Sequence, residues 1–290
     1  MSALPSPVTV ARLVRSDLLK LSRYWVVLGA YGAMAVVAVG GAALYHLAEA
    51  RASIHSGSGW DFAFAVMLRS LDFSRSVLFL MFCLVFTLDT ANATLKYVLT
   101  RPVTRLELLA SRYATALVMI AATLALLWAG SLGAAAWYYD LGALTENDYV
   151  IFPAATMARH VAIATVLVAI VLLSIASLAV AVSTYATTMG GAILTGLVLF
   201  TMFGTLGLVP ASLGVDVPWD GGTVHVPYST ASFMNQVFVP MYLLDDLPTG
   251  IPIDTWWTAE VRRMLAVSLG TTLVFGAIAA AGAHRRDYTL

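Results

Sequence analysis

The stretch from Leu95 to Arg112, LKYVLTRPVTRLELLASR, lies between two apolar segments and forms a short basic elbow in a chain otherwise poor in charge. Inside it, Thr104-Arg105-Leu106-Glu107 fits a capping box. The threonine oxygen takes the amide of the third helical residue while the glutamate reaches back to the cap amide. A new helix therefore starts at the elbow. Just upstream, Pro102 lacks a backbone donor and restricts Arg101 to extended geometry, so the preceding helix must already have stopped. The reading is a proline-braced corner that presents Arg101 and Arg105 to water, a shape suited to being gripped by a soluble partner.

Working outward, composition fixes the surroundings of this corner. Of 290 residues, 60% are hydrophobic and 11% charged, and the mean hydropathy is +0.85. Soluble domains carry about a quarter charged residues, so the chain belongs in a bilayer. The net charge is zero, which removes any global electrostatic case for nucleic acid. The single cysteine, Cys83, sits in an apolar run; it excludes an intramolecular disulfide and a cysteine-based zinc site. No cleavable signal is expected, because the first long apolar run begins near Tyr24 and is long enough to span.

Five runs are spanning candidates by length and lack of charge: Tyr24 to Tyr45, Tyr113 to Tyr139, Val161 to Ser183, Met189 to Val209 and Met264 to Ala283. A sixth, Ser76 to Leu88, is strongly apolar but short, and to cross it must either take in Asp89, Asn92 and Thr94 or start back near Asp72 and Arg75. It counts as a span because a crossing is needed between the charged elbows that flank it. The expected fold is an all-α membrane protein with six transmembrane helices in a single domain over residues 1–290. With the N-terminus cytoplasmic, ten lysines and arginines fall inside and six outside, which favours both termini inside.

Ahead of the first span, Val10, Ala11, Val14, Leu18 and Leu21 recur at helical spacing, with Arg12, Ser16, Lys20 and Arg23 opposite. Residues 8–23 thus read as an amphipathic interfacial helix whose apolar face lies in the acyl boundary. Its basic face then meets anionic headgroups of membrane lipid or a cytoplasmic partner. Residues 210–258 form an external segment holding Pro210, Pro218, Pro227, Pro240, Pro248 and Pro252. Within it, Ser232 to Leu244 is apolar enough to dip into the interface or form a short surface helix, but too short to cross; with the acidic rim Asp245 and Asp246 behind it, the segment is expected to pack as a lid over the outer end of the bundle and gate cargo release.

Catalytic motifs are missing. There is no GxxxxGK[ST] phosphate loop, and the two lysines are Lys20 and Lys96, so the chain does not hydrolyse ATP alone. His46, His55, His160, His225 and His284 form no HExxH and no i,i+4 pair, so no metal site is expected. No Gly-x-Ser-x-Gly elbow and no pair of intramembrane aspartates supports hydrolase chemistry. Asp89, closing the second span, reads either as a structural acid that caps the helix or pairs with Arg12 or Arg105, or as a cargo-binding group. Gly29/Ala33, Gly130/Ala134 and Gly276/Ala280 allow close helix approach.

With those residues in view, the chain resembles the membrane subunits of type-2 ATP-binding-cassette transporters, the ABC-2 permeases. The resemblance rests on the basic helix Val8 to Arg23, the acid Asp89, the elbow Leu99-Thr100-Arg101-Pro102-Val103-Thr104-Arg105, the enlarged external segment and the terminal Arg285-Arg286-Asp287. It implies that residues 96–112 form a cytoplasmic coupling helix seated on a separate ATPase subunit, with Arg101, Pro102, Thr104, Arg105 and Glu107 at the contact. It further implies a second permease copy, with ATP and Mg bound by the partner ATPase and no cofactor on this chain. The setting implied is a prokaryotic plasma membrane, crossed several times. The family often has lysine where this chain has Arg112. The competing reading is a non-transporting anchor or sensor whose external segment binds a ligand.

Overall fold

The computed structural model describes residues 6–52, 58–91, 104–146, 149–210, 212–219, 222–227, 232–249, 252–253 and 255–285, with the backbone alone at 52, 89–91, 145–146, 149, 215–219, 222–227 and 249. Eight α-helices occur among them: α1 (Pro7–Ser22), α2 (Trp25–Ala52), α3 (Gly59–Ala91), α4 (Arg105–Tyr138), α5 (Ala154–Tyr185), α6 (Met189–Thr205), α7 (Val239–Asp245) and α8 (Ala259–Arg285). Six of these, all but α1 and α7, are long and apolar enough to cross a membrane. The result is a predominantly helical architecture of the multi-pass membrane kind.

Central in the bundle are α3 and α5, about half buried over their most apolar stretch (56% and 50%), whereas α6 is 11% buried there. Helix α8 lies along α5, α2 against α3 and α4, and α6 against α3. Small residues set the closest approaches. A Cβ added at Gly130 of α4 would stand 2.9 Å from the Ala38 Cβ of α2, and one at Gly196 of α6 would stand 2.8 Å from the Cys83 sulfur of α3. In a lipid solvent such close packing, rather than water exclusion, holds helices together.

The second span differs from the expectation. It begins at Gly59, earlier even than a start near Asp72 and Arg75, so Asp61, Arg69, Asp72 and Arg75 all lie on α3. These charges do not end the helix because neighbouring groups satisfy them. Arg75 Nη2 pairs with Asp72 Oδ1 at 2.8 Å, one turn away. Its Nη1 donates to the Met234 carbonyl and to Asn235 Oδ1, both at 2.9 Å, and its guanidinium lies 4.5 Å from the Phe238 ring centre. Arg69 covers the Tyr45 ring at 4.2 Å.

The partner of Arg75 is the segment expected at the interface or surface. Residues Phe233–Phe238 form a 3₁₀ turn that runs directly into α7, and Phe233, Met234, Val237, Met241, Leu244 and Leu247 are buried. The segment is a plug wedged among α3, α5 and α8, not a surface helix. Asn235 Nδ2 also donates to the Gly204 carbonyl at the end of α6 (3.2 Å). Each buried side chain of this size is worth roughly 1.5–3 kcal/mol relative to water.

The fold is also not purely helical. Two antiparallel hairpins lie between helices: β1 (Leu144–Glu146) with β2 (Tyr149–Phe152), and β3 (Gly214–Trp219) with β4 (Gly222–Pro227). The second keeps a regular register from Gly214 opposite Pro227 to Trp219 opposite Gly222.

Asp245, half-buried at the end of α7, has its carboxyl pushed above the usual range by burial and then by Asp61 and Asp246, against an opposing effect of Arg69. A raised carboxyl pKa in the docked state means that docking takes up a proton, so the plug gains stability as pH falls through that raised value and loses it as pH rises. Amide exchange over 232–249, corrected for intrinsic rates, is expected to slow as the pH is lowered through that raised value. Asp245→Asn should slow it at the higher pH and flatten the dependence. Faster exchange on acidification would contradict this assignment.

Candidate functional site

The elbow helix starts where the capping signal places it. Thr104 is extended (φ −77, ψ 155), its Oγ1 accepts from the Glu107 amide at 3.2 Å, and Glu107 Oε2 accepts from the Thr104 amide at 2.8 Å. The Thr104 hydroxyl donates to the same oxygen at 3.0 Å. Both halves of the capping box are therefore present.

The second carboxylate oxygen does something the motif does not require. Glu107 Oε1 accepts the backbone amide of Ser6, the N-cap of α1, at 3.0 Å. One acid thus closes the first turn of α4 and fastens the start of α1, which lies 101 positions earlier in the chain. Its side chain is enclosed (5% exposed). Placing the negative charge at two helix N-termini also suits both helix dipoles.

Arg105, next to the cap, donates through Nη1 to the His284 carbonyl at the end of α8. An arginine at a helix C-terminus meets carbonyls that have no intrahelical donor. Two turns along, Arg112 is 7% exposed and donates from Nη1 to Ser183 Oγ of α5 at 3.3 Å. It also faces a cavity of about 30 Å³ bounded by Asp17 and Lys20 of α1 and by Val85, Phe86 and Leu88 of α3. Asp17 and Lys20 pair at 3.5 Å. The starts of α1 and α4 and the ends of α3, α5 and α8 therefore meet at one end of the bundle, here termed the terminal end.

Of the residues singled out from the sequence, Thr104, Arg105 and Glu107 come together here. Arg12 and Arg23 are exposed on α1, and Lys20 is exposed beside Asp17. Arg101 and Pro102, with Lys96 and the rest of 96–103, lie outside the described residues, as do Arg286 and Asp287. Asp89 ends α3 in backbone only, and its side chain lies outside the described set. Gly29 faces open space, whereas Gly276 approaches the Tyr113 hydroxyl at 3.3 Å for an added Cβ.

Sequence reasoning treated Arg112 as a mere charge-keeping variant and missed the link from Glu107 to Ser6. The signal for Arg112 was available: a cation inside an apolar helical run must be paired or solvated. At the opposite, distal end, another polar network was missed. The Tyr139 hydroxyl donates to Glu49 Oε2 at 2.7 Å and lies 3.3 Å from His46 Nδ1, while the His46 ring stacks on Tyr138 at 4.2 Å. Among the described residues, no group of three His, Cys, Asp or Glu side chains is placed to hold a metal ion.

Thr104→Ala removes one half of the box and should cost about 1 kcal/mol. Because Thr104 also orients Glu107, exchange should rise over α1 as well as over the first turn of α4. Thr188 caps α6 by accepting the Gly191 amide at 3.1 Å, and Thr188→Ala should loosen only its own helix. Equal, purely local effects of the two substitutions would show that the cap does not hold α1. Neither protein-family models nor curated proteins match the chain.

Proposed function

We propose that the chain is the membrane-spanning permease subunit of an ATP-driven transporter of the ABC-2 type, acting as an exporter with a separate ATPase subunit and a second permease copy. The observation that carries this reading is the terminal-end junction. A capped helix start, α4, is joined through Glu107 to α1 and through Arg105 to α8. A push on the elbow would therefore reach the N-terminal helix, the last span and, through Arg112 and Ser183, the central helix α5 as one movement.

In this account the terminal end is cytoplasmic, 96–112 is the coupling elbow seated on the ATPase, and ATP and Mg are held by that partner. Closure of the ATPases moves the elbow, and the six spans respond as packed bodies rather than by bending. The plug at 232–249, latched to α3 by Arg75, is the outer lid whose release lets cargo leave. The apolar surface of the spans favours an amphipathic or lipid-like cargo. The anchor or sensor reading calls for an external segment open to a ligand, whereas the apolar side chains of 233–247 are spent on the bundle itself.

Arg101→Glu with Arg105→Glu tests the proposal. Charge reversal at a docking surface costs several kcal/mol, so co-purification with the ATPase should fall at least tenfold while the permease stays monodisperse. Arg105→Gln alone separates the two roles of Arg105, since it loses the contact to His284 without repelling a partner. Undiminished assembly and export by the double reversal would overturn the proposal.

A further inference from the structure

Helix α1 has a second apolar face that the bundle does not use. Leu21 is buried, and Leu18 packs on the core. Val8 and Leu19 point away, 59% and 54% exposed. Between this outer face and α4 runs a groove of about 730 Å³, lined by Val10, Ala11, Val14, Leu18 and Leu19, with Ala114 from α4 and Arg15 on its wall. An adjoining hollow of about 460 Å³, bounded by Pro7, Val8 and Ala11, carries Arg12 and again Arg15.

No carboxylate is among the described residues that line either one. The acid of α1, Asp17, is turned to the other side, where it faces Arg112 across the small cavity and pairs with Lys20. The outer face is thus an apolar trough flanked by two guanidinium groups. Arg23 and Tyr24 link α1 to the first span, which opens with Trp25, 82% exposed. Tryptophan at the mouth of a span sits at headgroup depth, so the trough lies where headgroup and acyl chain meet.

We propose that this trough binds an anionic phospholipid, with the phosphate between Arg12 and Arg15 and one acyl chain along the groove between α1 and α4. Guanidinium groups match phosphate oxygens in a fork geometry and are weakly hydrated, so they suit this boundary. A zwitterionic lipid would bring its own cation to a site that already holds two. The inference uses only the placement of α1 at the membrane boundary, so it stands apart from coupling to an ATPase.

The test is native mass spectrometry of the delipidated full chain in detergent, titrated with phosphatidylglycerol or with phosphatidylcholine of the same acyl chains. Each basic residue near an acidic headgroup is worth about 1 kcal/mol, so phosphatidylglycerol should bind on the order of tenfold tighter or better. Arg12→Gln with Arg15→Gln should abolish that preference. Ala11→Phe, which fills the groove, should weaken both lipids while keeping the preference. Arg262→Gln with Arg263→Gln, at the other end of the bundle, should change nothing. Equal affinity for the two lipids, or a preference that survives Arg12→Gln with Arg15→Gln, would overturn the proposal. So would a preference lost equally with Arg262→Gln and Arg263→Gln. Loss of a co-purifying ATPase on removing Arg12 and Arg15, with lipid selectivity intact, would assign them to a protein partner instead.

Discussion

Glu107 is a single carboxylate shared by two helix beginnings. One oxygen completes the cap of α4 through Thr104, and the other receives the Ser6 amide at the start of α1. Helix N-termini carry amides without intrahelical acceptors, and a negative charge there is favourable to both dipoles. Once α1 is fastened in this way its inner face must lie on the bundle. Leu21 is then buried, Asp17 is carried to the cavity at Arg112, and Arg12 and Arg15 are left outward. The shape of the terminal end follows from that one group.

Midway along α3 the fastening is a cation instead. Arg75, on the most buried of the spans, gathers Asp72, the Met234 carbonyl, Asn235 and the Phe238 ring, and so ties the plug to α3. Gly207, just past α6, leaves room for the Asn235 side chain. Elsewhere the long helices rely on shape, with Gly130 against Ala38 and Gly196 against Cys83. Helices α3 and α5 form the inner frame, and α6 leaves most of its apolar surface facing outward. A bundle pinned at one end and at mid-height, and packed elsewhere by small residues, transmits a displacement better than it absorbs it.

The parts of this fold written locally were legible in the sequence. Thr104 and Glu107 name the start of α4, and five of the six spans follow from charge-free runs. The start of α3 was not legible, because Arg69, Asp72 and Arg75 look like an end of a span until the plug from beyond residue 230 is brought to them. For the same reason 232–244 was not legible as a buried plug: Phe233, Met234, Val237, Met241 and Leu244 follow a helical spacing, but the helices that cover them come from elsewhere in the chain. The second hairpin was overlooked although Asp220-Gly221, with Val215 and Val217 before it and Val224 and Val226 after it, is a two-residue hairpin signal. Glu107 was recognised as half of a local motif, while its second oxygen serves a contact that no local pattern encodes.

The central claim is that α1 and α4 move as one body because Glu107 holds them. It is tested most directly by electron–electron double resonance between spin labels at Ser16 on α1 and Ala121 on α4, both exposed positions, in a Cys83→Ala background in lipid. The account predicts one narrow distance distribution for the chain with Glu107 and a broad one for Glu107→Ala. Labels on α5 and α8 should stay narrow in both. A broad distribution with Glu107 intact, or an unchanged narrow one in Glu107→Ala, would contradict it.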